Sequence, residues 1–228
     1  MQTIIIGLFV GLLFLQVGGT KQSSVQNLSG VLFFIVIQQS FGTIFPIVQV
    51  LPEEKSIFLR DNDNGMYKTW IYFLTKTIAE LPFQIFLPFL FTAICYYMVD
   101  LNNDIDRFFL HLLIVILTST AAQSLGYLIS ALVPSVSVAL AITPVIVIPF
   151  MLFGGLFINS DDIPAYFVWL EYISWIKYGF EAAMVTEFED KVLDRSLCGA
   201  QASIGNKSAP TLMQPCFHEG KQILAFAN

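Results

Sequence analysis

The run FFLHLLIVILTSTAAQSLGYLISALVPSVSVALAITPVIVIPFMLFGGLFINS, from Phe108 to Ser160, contains no Asp, Glu, Lys or Arg. One charged side chain at a bilayer centre costs about 2.5–3.5 kcal/mol on insertion scales, so so long a charge-free stretch suits lipid rather than a water-exposed surface. Two bilayer-length apolar segments fit within it, and the same pattern recurs over 1–20, 22–52 and 81–99. Of the 228 residues, 56% are hydrophobic and 12% charged, against about 25% charged in soluble domains. The fold class is therefore an all-α polytopic membrane protein.

Working outward, five spans are predicted, at about Gln2–Val17, Leu28–Leu51, Leu81–Leu101, Phe108–Val133 and Val138–Ile158. The first lacks the basic start and small-residue cleavage site of a signal peptide, so it reads as a retained span. It begins without flanking polar residues, and the chain is expected to be cut at its start. Net charge is −6 with no basic cluster, which excludes a nucleic-acid binder.

Basic residues set the orientation. Lys55, Arg60, Lys68 and Lys76 fall in the 52–80 loop, whereas the loops at 18–27 and 100–107 hold Lys21 and Arg107 alone. Short basic loops stay cytoplasmic, so 52–80 is placed in the cytosol and 159–228 outside. Asn206-Lys207-Ser208, a glycosylation acceptor, suits an outer segment. A bridge between Cys198 and Cys216 in that segment would stabilise it by about 3 kcal/mol; the alternative is two free thiols. Cys95 reads as a small core residue.

Within the spans, Gly7 and Gly11 form a GxxxG pair, and Thr118, Ala122, Gly126 and Ser130 make a stripe of small residues. Such stripes let membrane helices approach closely, and packing inside this bundle is expected of both. Pro144 and Pro149 each remove a hydrogen bond from the fifth span, with Gly154-Gly155 following, so a kinked helix beside a cavity is expected there. Gln38 near mid-membrane reads as cavity-facing. His111 is placed at the interface, and no ionisable residue is expected deep in a span, which argues against a proton- or sodium-coupled carrier. Asp161-Asp162-Ile163-Pro164 opens a segment with seven aromatics over 166–180, read as short helices in the outer interface. There Glu171, Lys177 and Glu181 are expected to be solvated or paired. The 52–80 loop mixes charges with Phe58, Tyr67, Trp70 and Tyr72, a pattern suited to docking a cytosolic partner. No GxxxxGK[ST] loop, HExxH motif or catalytic triad occurs in the sequence, so no catalytic or metal-binding residue is assigned.

The runs Arg60-Asp61-Asn62-Asp63-Asn64-Gly65-Met66-Tyr67, Tyr72-Phe73-Leu74-Thr75-Lys76-Thr77-Ile78-Ala79-Glu80-Leu81-Pro82 and Ile148-Pro149-Phe150-Met151-Leu152-Phe153-Gly154-Gly155-Leu156-Phe157-Ile158-Asn159 resemble the transmembrane domain of G-subfamily ABC half-transporters. Tyr172 to Glu181 extends the match, and within the subfamily the chain is most similar to the white type of insect eye-pigment transporters. The resemblance covers nearly the whole chain and implies the type II exporter (ABC-2) fold of six spans, working as a homo- or heterodimer. It implies an outer loop that is disulfide-bonded through Cys198 and Cys216 and glycosylated at Asn206. By the same resemblance Gln38, Phe41, Ile148 and Met151 line the substrate cavity, and Leu156 and Phe157 form a plug. Glu54, Arg60, Tyr67 and Glu80 then belong to the coupling segment that meets a nucleotide-binding domain. ATP and Mg would bind on that domain, which these residues do not include; the sixth span is likewise missing, and Asp61 stands where the subfamily usually has Glu. The chain is accordingly expected to be a fragment or an incomplete gene model.

The function expected is the membrane part of an ATP-driven exporter of hydrophobic or aromatic small molecules, pigment precursors or sterols and other lipids, in the plasma membrane or a pigment-granule-like membrane. The alternative is a truncated subunit that dimerises with full-length half-transporters and interferes with them. An ATP-independent channel or carrier is the third class.

Overall fold

The computed structural model describes residues 2–15, 22–101, 104–157 and 166–188. In order, the helices are α1 (Gln2–Leu13), α2 (Gln22–Asp63), α3 (Thr69–Val99), α4 (Ile105–Leu132), α5 (Val136–Leu152), α6 (Val168–Ile173) and α7 (Trp175–Phe188). No strand occurs among the described residues. Three stretches are long and apolar enough to cross a bilayer: Asn27–Asp63, Thr69–Val99 and Ile105–Leu132. The first and fifth expected spans appear as shorter apolar helices, Thr3–Leu13 and Val136–Leu152. Cys198, Asn206 and Cys216 lie outside the described residues.

Segment 52–80 is not an irregular loop. α2 continues through Pro46 and Pro52 to Asp63, and α3 starts at Thr69, so only a tight turn separates them. Each proline removes one ladder bond from an otherwise intact helix. The turn is a Schellman closure: Met66 N–H donates to Asp61 O at 3.1 Å and Gly65 N–H to Asn62 O at 3.0 Å. Gly65 sits at φ +72°, the left-handed position that glycine adopts without steric cost. Lys55 and Lys76 therefore lie within continuous helices, not at their ends. Lys55 also donates to Ala131 O at 2.7 Å, satisfying a carbonyl at the C-terminus of α4.

Close backbone approach assembles the bundle. An added Cβ on Gly11 would lie 2.6 Å from Met98 Sδ, and Gly7 already rests on Phe91 and Ile94, so α1 runs parallel to α3 against its far half. Gly126 of α4 faces the backbone of Ile44 in α2. Both small-residue motifs thus pack within the bundle, as expected. Cys95 is buried and its Sγ lies 3.8 Å from Gly7 O.

α5 is continuous through both prolines and ends in a turn, where Gly154 N–H bonds back to Met151 O at 3.1 Å. The Phe150 carbonyl accepts instead from Ser174 Oγ at 3.0 Å. Ser174 also caps α7, accepting from Lys177 N–H at 3.3 Å. Trp175 Nε1 donates to Ser40 Oγ at 3.2 Å, tying that cap to α2.

α7 packs one face into the bundle. Ile176, Gly179, Phe180, Ala183 and Met184 are buried, with Val36 of α2 and Thr118 of α4 against Gly179, while Tyr166, Trp169, Tyr172 and Tyr178 stay exposed. One helical face thus serves the core, and the exposed aromatics keep the amphipathic character that the sequence displays. Lys177 bridges Glu171 at 2.6 Å and Glu181 at 3.5 Å, the paired arrangement expected. Burial alone would lower the Lys177 pKa, but the hydrogen bond to Glu171 and the charges of Glu181 and Glu171 more than offset it and raise it.

His111 is 1% exposed inside the bundle, its ring 5.8 Å from that of Tyr96. Glu80 lies inside α3 and faces α4 at the end nearest the α2–α3 turn.

A Cβ on Gly179 would overlap the Thr118 side chain. Gly179→Val is therefore expected to destabilise the detergent-solubilised protein by about 1–3 kcal/mol, the usual result of overpacking, read as a lowered thermal midpoint. Thr118→Ala in the same chain should recover part of the loss.

Candidate functional site

Polar side chains from three helices meet at the end of the bundle nearest the α2–α3 turn. Glu54 Oε2 accepts from Tyr72 OH at 2.9 Å and from Lys76 Nζ. Lys76 Nζ also lies 3.4 Å from Glu80 Oε1, one turn along α3. Glu80 Oε2 in turn accepts from Gln123 Nε2 at 3.0 Å and from Tyr127 OH, both on α4. One ammonium between two partly exposed carboxylates, with three neutral donors around them, leaves each carboxylate with a cation and at least one hydrogen-bond donor. The result is a continuous link from α2 through α3 to α4. Phe58 and Tyr72 pack at 4.6 Å between ring centroids beside it, and Tyr67 stacks at 6.3 Å from Tyr72.

Above this network a cavity of about 260 Å³ opens between α1, α2, α3 and α4. Its polar lining includes Gln38, Gln39, Lys76, Glu80, Gln84 and Gln123. Ile6, Ile47, Phe83 and Phe91 supply apolar wall. Gln84 Nε2 donates to Thr120 Oγ1 at 3.0 Å, but Gln123 Oε1 is buried without a hydrogen-bond partner.

The residues singled out by sequence fall in different places. Gln38 is half-buried and lines the cavity. Phe41 packs towards α4 and α5, its ring stacked on Phe45 at 5.7 Å. Ile148 is exposed on α5, and Met151 is partly buried against the core cluster to which α1, α2, α3, α4 and α7 contribute. Phe41, Ile148 and Met151 are not lining residues of this cavity. Leu156 and Phe157 follow the end of α5, with the Phe157 ring edge-on to Phe33 at 5.5 Å. Glu54 and Glu80 join the network. Arg60 is 75% exposed and only 3.8 Å from Asp61, and Tyr67 OH donates to Asp61 Oδ2 at 3.4 Å.

Gln123 and Tyr127 were not singled out by sequence. Their spacing, one helical turn on an uncharged stretch, is the available signal, matched by Lys76 and Glu80 one turn apart on α3.

Lys76→Met leaves Glu54 and Glu80 facing each other without a cation. It is expected to cost about 1–2 kcal/mol, less than a fully buried pair because both carboxylates are partly exposed. Adding Glu80→Gln should recover part of the thermal midpoint, a non-additivity that two unconnected residues would not give.

The ABC-2 type transporter family profile matches residues 1–188. Protein white of Ceratitis capitata is 40% identical over 190 residues, covering 83% of this chain and 28% of that protein. ABC transporter G family member 1 of Dictyostelium discoideum is 39% identical over 193 residues, 83% of this chain and 24% of its own length. The ABC transporter ATP-binding protein/permease wht-1 of Caenorhabditis elegans is 36% identical over 211 residues, 92% and 31% respectively. The chain spans less than a third of the length of each of these relatives.

Proposed function

The chain belongs to the ABC-2 type transporter family, and on that premise we propose that its bundle is the membrane-spanning part of an ATP-driven exporter of hydrophobic or aromatic small molecules. Pigment precursors, or sterols and other lipids, are the substrate classes. Two half-transporters, alike or different, form the working dimer, and each is driven by a nucleotide-binding domain that holds ATP and Mg. The turn between α2 and α3 faces the cytosol, where that domain grips it.

The observation that carries this reading is the chain of contacts from Glu54 through Lys76 and Glu80 to Gln123 and Tyr127. A push on the turn reaches α4 through paired charges rather than through a flexible loop. The description of the nematode relative, which joins an ATP-binding protein to a permease, supports the same assignment. In the cycle, closure of the ATP-loaded domains displaces the turn, and the α2–α4 link carries the motion into the bundle. Substrate resting on Gln38, Phe41, Ile148 and Met151 then leaves past Leu156 and Phe157. The apolar members give shape-tolerant contact and Gln38 supplies a polar anchor.

ATP-dependent uptake of a labelled aromatic substrate into inside-out vesicles carrying the full-length half-transporter tests this. Phe41→Ala is expected to lower uptake severalfold at unchanged expression, and normal uptake would remove Phe41 from the route. Asn64→Cys should react with an impermeant maleimide from the cytosolic face alone; labelling only from outside would leave the drive nothing to hold.

A further inference from the structure

Ser174 and Trp175, where α6 gives way to α7, bond to both helices that carry the substrate residues: α2 with Gln38 and Phe41, and α5 with Ile148 and Met151. We propose, on the export reading given above, that Ser174 and Trp175 are positioning residues of the route. They hold the end of α5 against α2 and so fix the gap between Phe41 and Met151 that a substrate must fit.

The end of α5 needs such a hold. Its buried residues are Ala139, Thr143 and Val147, and from Ile148 to Leu152 every side chain is exposed or half-buried. Pro149 has no N–H to return to the Val145 carbonyl, so the last turn is joined to the rest of α5 by one bond fewer. The next carbonyl, that of Phe150, loses its ladder partner because Gly154 N–H turns to Met151 O at 3.1 Å. Ser174 Oγ donates to it at 3.0 Å and accepts from Lys177 N–H at 3.3 Å. Those two bonds set the direction of a hydroxyl that is fully buried. Beyond the grip, an added Cβ on Gly154 would lie 2.8 Å from Phe33 of α2 and 3.0 Å from Ile176 of α7. The first turn of α7 is thus the surface on which the end of α5 rests.

Trp175 completes the hold on the α2 side. Its ring lies 5.0 Å from that of Phe150, and its Nε1–H donates to Ser40 Oγ at 3.2 Å. Ser40 is fully buried and gives its own proton to Val36 O at 2.9 Å. Its oxygen is left as an acceptor, the complement of an indole that can only donate. Phe41 follows Ser40 on α2 and Met151 follows Phe150 on α5, so one dipeptide grips the chain neighbours of both residues. Trp175 borders two apolar clusters, one shared with Phe41 and the other with Met151. α7 is seated without these bonds: Ile176, Gly179, Phe180, Ala183 and Met184 are buried, and Arg107 holds the Thr186 carbonyl at 2.9 Å. Loss of the grip therefore frees the end of α5 and leaves α7 in place.

Hydrogen exchange of the 228-residue chain in phosphatidylcholine nanodiscs, without nucleotide, reads the grip apart from transport. Trp175→Phe and Ser40→Ala each remove one partner of the same bond. Each is expected to speed exchange over 151–157 about 5-fold, as for one hydrogen bond, with 179–188 exchanging as in the wild type. The double variant should add nothing to the larger single effect. Ser174→Ala should also speed exchange over 151–157, and Ser174→Thr, which keeps the hydroxyl, should restore the wild-type rate. ATP-dependent uptake into inside-out vesicles carrying the full-length half-transporter then compares naphthalenesulfonate with pyrenesulfonate. A freed α5 widens the gap, so Trp175→Phe should raise the KM of the two-ring probe about 5-fold relative to that of the four-ring probe. A merely structural loss would instead lower the maximal rate for both alike. Unchanged exchange over 151–157, additive effects in the double variant, or an unmoved KM ratio would overturn the proposal. If the wild type takes up neither probe while exchange over 151–157 still responds, the export reading fails and the grip stands.

Discussion

Lys76 lies between two carboxylates, Glu54 and Glu80, at the end of the bundle nearest the α2–α3 turn. Inside a bilayer no water is present to solvate a stray charge, so each polar group must find its partner in the protein. Glu54, Lys76 and Glu80 meet that condition jointly, and in doing so they fix the register of α2 against α3. Gln123 and Tyr127 extend the constraint to α4. The remaining packing, from Gly126 against Ile44 to Gly179 against Thr118, depends on helices already held in that register.

The same constraint explains the far end of the bundle. Where α5 ends, the Phe150 carbonyl would be left without a partner, and Ser174 supplies one while also capping α7. Arg107 donates to the Thr186 carbonyl at 2.9 Å and so ties α4 to the closing turns of α7. Short polar contacts at helix ends thus add to the apolar packing that holds α7 against its neighbours. Its buried face then adds Phe180 and Met184 to the core.

Much of this was legible in the sequence. Charge-free runs located the long spans, because the penalty for a charge in lipid leaves a plain mark in composition. The GxxxG pair and the small-residue stripe announced close packing, since small side chains on one face have that single steric consequence. Helix ends were harder. Lys55 and Lys76 signalled a loop, yet a helix can leave the bilayer without stopping, and nothing local separates the two cases. Glu80 followed from the same error: set at a loop's edge, it was not seen to face α4. His111 and Gln123 are buried by what packs over them from other helices, and a single sequence carries no record of those neighbours. Residues 189–228, with both outer cysteines, lie beyond what the structure describes.

α2 is one unbroken rod of 42 residues, about 63 Å at 1.5 Å per residue, roughly twice the hydrocarbon thickness. A tilt of about 5° about the membrane midplane would sweep its tip sideways by about 3–4 Å, on the scale of a helical groove. Small rocking in the lipid is geared up into a large stroke at the turn, and the reverse holds equally: force applied at the turn arrives in the membrane with a mechanical advantage. A shorter α2 ending at Leu51 would have almost no arm on which such leverage could act.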